Sequence, residues 1–99
     1  MTKKNYSKTK KSCAVTFRLG PEANAQTAFV CGDFNNWDKE ASPMKPLKDG
    51  GFSLANVSLE AGKEYRFKYF VDGERWLNDE AADKYVANEY GSEDSVITV

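Results

Sequence analysis

Along residues 13–19 the chain alternates: Cys13, Val15, Phe17 and Leu19 share one side, opposite Thr16 and Arg18. A two-residue period is the signature of a strand with one buried face, because successive side chains leave a pleated backbone in opposite directions. Residues 21–26 make a polar turn, residues 27–32 read as a second strand and residues 52–59 as a third. Within the third, Phe52 and Leu54 are one residue out of phase with Val57 and Leu59. A bulge at Ala55 and Asn56 would return all four to the core side. A turn at residues 60–63 leads into residues 64–71, where Tyr65, Phe67, Tyr69 and Val71 line one face and Arg66, Lys68 and Phe70 the other. Asp72-Gly73 then predicts a hairpin back into Arg75-Trp76-Leu77, since both residues accept the positive φ angles of a type I′ turn. Residues 95–99 supply a last short strand. Residues 80–85 have room for one helical turn, and no segment sustains a 3.6-residue period for three turns. Short, regularly spaced strands joined by Gly, Pro and Asn turns predict an all-β sandwich.

Ninety-nine residues suffice for one modest core. Apolar runs of a few residues fall far short of the ~20 that a membrane helix needs, and the lysine-rich start lacks the apolar stretch of a signal peptide. The expectation is a soluble, cytoplasmic protein without membrane contact. Cys13 and Cys31 both lie in predicted strands and are expected as buried free thiols, which pack as small apolar groups. Charge divides the chain unevenly. Five lysines (Lys3, Lys4, Lys8, Lys10 and Lys11) precede all fifteen acidic residues, and the remainder carries only nine basic ones. Residues 1–11 are therefore expected to form a disordered basic tail and residues 12–99 the folded module. No basic patch continues into the acidic body, which argues against a nucleic-acid partner.

The absence of histidine removes the commonest general base and metal ligand at neutral pH. Gly-rich phosphate loops, Cys-x-x-Cys pairs and Gly-x-Ser-x-Gly elbows are also absent. The chain is expected to be no enzyme and to hold no cofactor or metal. What remains to explain is tryptophan in turn-rich surroundings: Trp37 closes GDFNNWD (residues 32–38), and Trp76 follows the Asp-Gly hairpin. Either indole could fold back to cap the small core. Alternatively, a flat apolar ring beside Asn35, Asn36, Asp38, Asn78 and Lys68 suits a sugar, whose C–H face stacks on indole while its hydroxyls need polar partners.

GDFNNWD, then YRFKYFVDGERW, then GSEDSVITV, in this order and spacing, resemble the modules of carbohydrate-binding family 48. These occur as early-set domains of isoamylases and glycogen-branching enzymes and in the beta subunit of AMP-activated protein kinase. The resemblance covers residues 12–99 and implies an immunoglobulin-like early-set sandwich that binds α-1,4-glucan (glycogen, starch, maltodextrin). By the same resemblance Trp37 and Trp76 form a stacking platform and Lys68 bonds sugar hydroxyls. Asp94 stands where the kinase modules have an asparagine, keeping an acceptor but losing the amide donor. Tyr90 replaces a leucine that lies under the sugar ring, and Ser92 replaces a threonine. Family members tether partners to polymer, so a glycogen-metabolism enzyme is an expected partner. The alternative expectation is a protein-interaction or regulatory module with a vestigial sugar site.

Overall fold

The computed structural model describes residues 2–9, 11–79 and 82–99. It is an all-β sandwich. One sheet has the order β1-β2-β5-β4, built from β1 (Thr2–Tyr6), β2 (Ser12–Leu19), β5 (Phe52–Glu60) and β4 (Lys45–Pro46). The other has the order β3-β6-β9-β8, from β3 (Ala28–Gly32), β6 (Glu64–Val71), β9 (Glu93–Thr98) and β8 (Lys84–Ala87), with β7 (Arg75–Leu77) paired to the far half of β6. Every pairing is antiparallel. Between the sheets Val15, Phe17, Val30, Phe67, Tyr69, Val71 and Ile97 are almost wholly excluded from solvent. The alternation of β2 and β6 is thus the alternation of a half-buried pleat.

The bulge in β5 lies where the phase change puts it. Val15 faces Val57 and Phe17 faces Leu54, so Ala55 and Asn56 together oppose Thr16. Asn56 takes φ 60°, a left-handed conformation that asparagine tolerates better than most residues. The extra residue turns Leu54 and Val57 onto the core beside buried Phe52 and Leu59. At the β6–β7 hairpin Asp72 and Gly73 both have positive φ, 54° and 69°. The Asp72 carboxylate accepts the backbone N–H groups of Gln26 (2.7 Å) and Thr27 (3.1 Å) and pairs with Arg75. These bonds hold the Asp72 carboxyl below the usual carboxylate range: the Gln26 amide contributes most, then Thr27, with Arg75 adding less.

Three expectations require correction. The basic segment is not wholly outside the fold, because Thr2–Tyr6 pairs with β2 from Thr2 opposite Phe17 to Tyr6 opposite Cys13. The physical reason is the open edge of β2, whose amide and carbonyl groups need partners. Lys4 secures the added strand by an ion pair of 2.7 Å with Asp83 of the opposite sheet's β8 side. Met1 and Lys10 of that segment lie outside the described residues. Second, the expected helical turn at residues 80–85 gives way to strand: Lys84 and Tyr85 open β8, paired with Val96 and Ser95. Glu80 and Ala81 lie outside the described residues. Third, the last strand begins at Glu93, two residues ahead of the expected start. No α-helix occurs among the described residues, so none is long and apolar enough to cross a membrane.

Cys13 and Cys31 are buried free thiols. Burial, and secondarily the charge of Asp38, pushes the Cys31 thiol up, which keeps it in the unreactive protonated form. The Tyr69 hydroxyl donates to Asp79 Oδ2 (3.0 Å), a carboxylate 1% exposed. Burial and then the Asp79 charge raise the Tyr69 phenol far above its ordinary range.

Candidate carbohydrate-binding groove

The GDFNNWD loop leaves β3 at Gly32. A side chain there would meet the Arg66 carbonyl 2.5 Å from its Cβ, so only glycine lets β3 and β6 approach at this point. Asn35 organises the turn. Its carbonyl oxygen accepts the Gly32 N–H (2.9 Å), while its amide donates to Val30 O (2.9 Å) and Ser42 Oγ (3.0 Å). Asn36 and Trp37 then adopt left-handed φ values of 58° and 57°. For a bulky residue this costs roughly 1–2 kcal/mol. It is offset locally, because the Trp37 backbone N–H reaches Gly32 O (2.9 Å) and its indole N–H donates to Asp33 Oδ1 (3.0 Å). The other Asp33 oxygen accepts the Arg66 backbone N–H at 2.9 Å. One aspartate thereby fixes the indole to the sheet beneath it.

Trp76 arrives from another element. It pairs with Phe70 across β6 and β7, the ring centroids 4.6 Å apart. Its outer surface remains 38% exposed, and Trp37, half-buried, stands 6.5 Å away with its plane tilted by 57°. Neither indole is among the buried core residues.

The remaining expected site residues gather around these rings. Trp37, Trp76, Lys68, Tyr90, Ser92 and Asp94 all line one open groove of about 1030 Å³. Lys68 Nζ donates to Ser92 Oγ at 3.2 Å, linking β6 to the loop between β8 and β9. Tyr90, 85% exposed, projects from that loop. Asp94 differs from the rest: it is only 7% exposed, Oδ1 is taken by the Asn88 amide (2.9 Å), and Oδ2 faces Arg66 at 3.9 Å. One of its oxygens is thus engaged by a hydrogen bond within the protein.

Asn88, which the sequence reading does not single out, is the hub of the β8–β9 loop. Its side-chain oxygen accepts the N–H groups of Tyr90 (3.0 Å) and Ser92 (3.2 Å), and its amide donates to Ser92 Oγ as well as to Asp94. Asp33, Lys39 and Arg66 also line the groove. Lys39 and Arg66 reach the groove from separate elements, whereas Asp33 and Asn88 bond within their own loops, Asp33 inside GDFNNWD itself. Asn78, considered as a sugar partner, instead donates to the Glu93 carbonyl and accepts from Ser95 Oγ. Among the described residues no three His, Cys, Asp or Glu side chains gather as metal ligands would.

A groove floored by two tilted indoles and edged by ammonium, hydroxyl and amide groups presents the two surfaces a sugar ring needs. Sequence comparison identifies the family. Residues 15–99 match the family profile described as the glycogen recognition site of AMP-activated protein kinase. The chain belongs to this family. It is a carbohydrate-binding module of the family-48 type with an early-set, immunoglobulin-like sandwich fold. It is also similar to the 1,4-alpha-glucan branching enzyme GlgB of Photobacterium profundum, with 42% identity over 45 residues, 46% of this chain and 6% of that enzyme. The 1,4-alpha-glucan-branching enzyme of Candida glabrata is 48% identical over 40 residues, 39% of this chain and 6% of that enzyme. The module therefore spans a small part of the length of these relatives.

Proposed function

We propose that the groove binds α-1,4-glucan chains of glycogen, starch or maltodextrin without altering them, and that the binding unit is residues 12–99. The observation that carries this reading is the Trp37–Trp76 pair, 6.5 Å apart and tilted by 57°. A helical α-glucan presents successive sugar faces at an angle, whereas a flat cellulose chain presents them in one plane. Two inclined indoles suit the first and mismatch the second. Lys68, Ser92 and Asp94 meet the ring edges, Tyr90 lies under a sugar ring, and Asn88 holds the loop that presents them.

Stacking two indoles on sugar faces would bury on the order of 150–200 Å² of apolar area, a gross gain of roughly 4–5 kcal/mol. Exposed hydrogen bonds add about 1–2 kcal/mol net, and ordering a flexible chain removes a comparable amount. Dissociation constants of roughly 0.2 to 1 mM follow. Such weak contacts suffice on a polymer that repeats the ligand many times. In the cytoplasm the module would act by bringing a glycogen-metabolism enzyme to its polymer, a role supported by the named activity of the branching-enzyme relatives. The test is sedimentation with insoluble starch against cellulose, followed by calorimetry with maltoheptaose. Retention on starch alone is the expected result. No retention and no heat at millimolar maltoheptaose, with an intact fold, would overturn the proposal.

A further inference from the structure

Lys39 follows Trp37 by two residues, and the backbone on both sides of it is pinned: Asp38 N–H bonds Asn35 O (3.2 Å), and Glu40 N–H bonds Asp38 Oδ1 (2.9 Å). From there its ammonium lies 5.0 Å from the Phe70 ring centroid and 5.7 Å from that of Trp76. A cation over aromatic faces is held by the negative charge of the π surface. The other two cations of the groove have polar partners, Arg66 facing Asp94 and Lys68 bonding Ser92. Among the described residues no carboxylate pairs with Lys39. Its N–H donors therefore face the groove and solvent while the rings fix its position.

We infer that Lys39 is a further binding residue of this groove, which donates from the β3 side to hydroxyls of the glucan stacked on Trp76, while Lys68 donates from the β8–β9 side. The inference rests on the glucan reading given above. Flanking one indole with ammonium groups on two sides restricts how a sugar can rotate on it, so Lys39 sets the register of the chain as well as adding a contact. The indole gives stacking energy without direction, and the donors at its rim supply the direction.

The experiment is calorimetry with maltoheptaose on the wild type, Lys39→Met, Lys39→Arg and Trp76→Ala. Met keeps the apolar stem over Phe70 but removes the ammonium, whereas Arg keeps a cation with donors. Lys39→Met is expected to weaken binding about three- to tenfold, the size of one exposed charge-assisted hydrogen bond. Lys39→Arg should stay within about twofold of wild type on the same scale, and both variants should keep the wild-type melting temperature. Loss of the cation should also shift the tryptophan emission of the ligand-free Lys39→Met protein. If Lys39→Met binds like wild type while Trp76→Ala does not bind, the platform stands and the role of Lys39 falls. Equal weakening in the Met and Arg variants with lowered melting temperatures would reduce Lys39 to a packing residue and overturn the inference. A wild-type protein that ignores maltoheptaose would overturn the glucan reading, and the role of Lys39 with it.

Discussion

Asp33 accepts the indole N–H of Trp37 on one carboxylate oxygen, at 3.0 Å, and the backbone N–H of Arg66 on the other, at 2.9 Å. A strained loop residue is thereby referenced to the central strand that also carries Lys68. Asp33→Ala is expected to weaken maltoheptaose binding about three- to tenfold and to cost about 1–2 kcal/mol of stability. Asp33→Asn, which keeps one acceptor for the indole, should fall between that variant and wild type. Paired melts and titrations check both numbers.

The two tryptophans should separate binding from stability. Because both lie outside the buried core, Trp37→Ala and Trp76→Ala should each cost about 1 kcal/mol or less, against roughly 3–5 kcal/mol for truncating a buried aromatic. Each should weaken glucan binding about tenfold or more, the loss of about 1.4 kcal/mol or more of stacking. Thermal melts showing the larger stability loss would identify the indoles as core caps.

Acid stability should depend on Asp72. Its carboxyl is held below the ordinary range, so the stability it contributes is fully present above the unfolded value of about 3.9 and disappears as pH falls through the lower folded value. Asp72→Asn cannot ionise and should show a shallower decline in melting temperature between about pH 5 and about pH 2. Identical slopes for the two proteins would show that the Gln26 and Thr27 bonds contribute nothing to acid stability.

The strand β1 should matter to the melt. Deleting residues 1–6 removes its ladder with β2 and the Lys4–Asp83 ion pair, and a loss of about 1–2 kcal/mol would lower the melting temperature of a domain this size by several degrees. A melt unchanged by the deletion would mean that the strand rests on β2 without stabilising it.

Most of the fold was readable because burial imposes a period. The β2 and β6 alternation, the Asp72-Gly73 hairpin and the phase change at Ala55–Asn56 each have a local cause, and each is found where the pattern places it. β1 and β8 were missed for the opposite reason. Both are edge strands, with largely exposed side chains in β8 and at residues 4–6 of β1, and their pairing is decided by a neighbour's open edge. At the groove, Trp37 and Trp76 stand out as large apolar residues in turn-rich surroundings, and the family resemblance adds Lys68, Tyr90, Ser92 and Asp94. Lys39 and Arg66 look like ordinary solvent-facing charges until strands far apart in the chain are brought together, while Asp33 and Asn88 organise their own loops by bonds that residue type alone does not announce. Asp94 lines the groove, where its Oδ1 accepts from the Asn88 amide.

The pairing of Thr2–Tyr6 with β2 also bears on how copies of the protein behave toward one another. Without β1, the eight-residue β2 would present a row of unpaired amide and carbonyl groups beside buried Val15 and Phe17, a ready template for a strand from another molecule. With β1 in place, the exposed border of that sheet is a five-residue strand, shorter than β2, with Lys4 tied to Asp83. A segment whose lysines suggest attraction to some anionic partner thus serves to cover the open edge of β2.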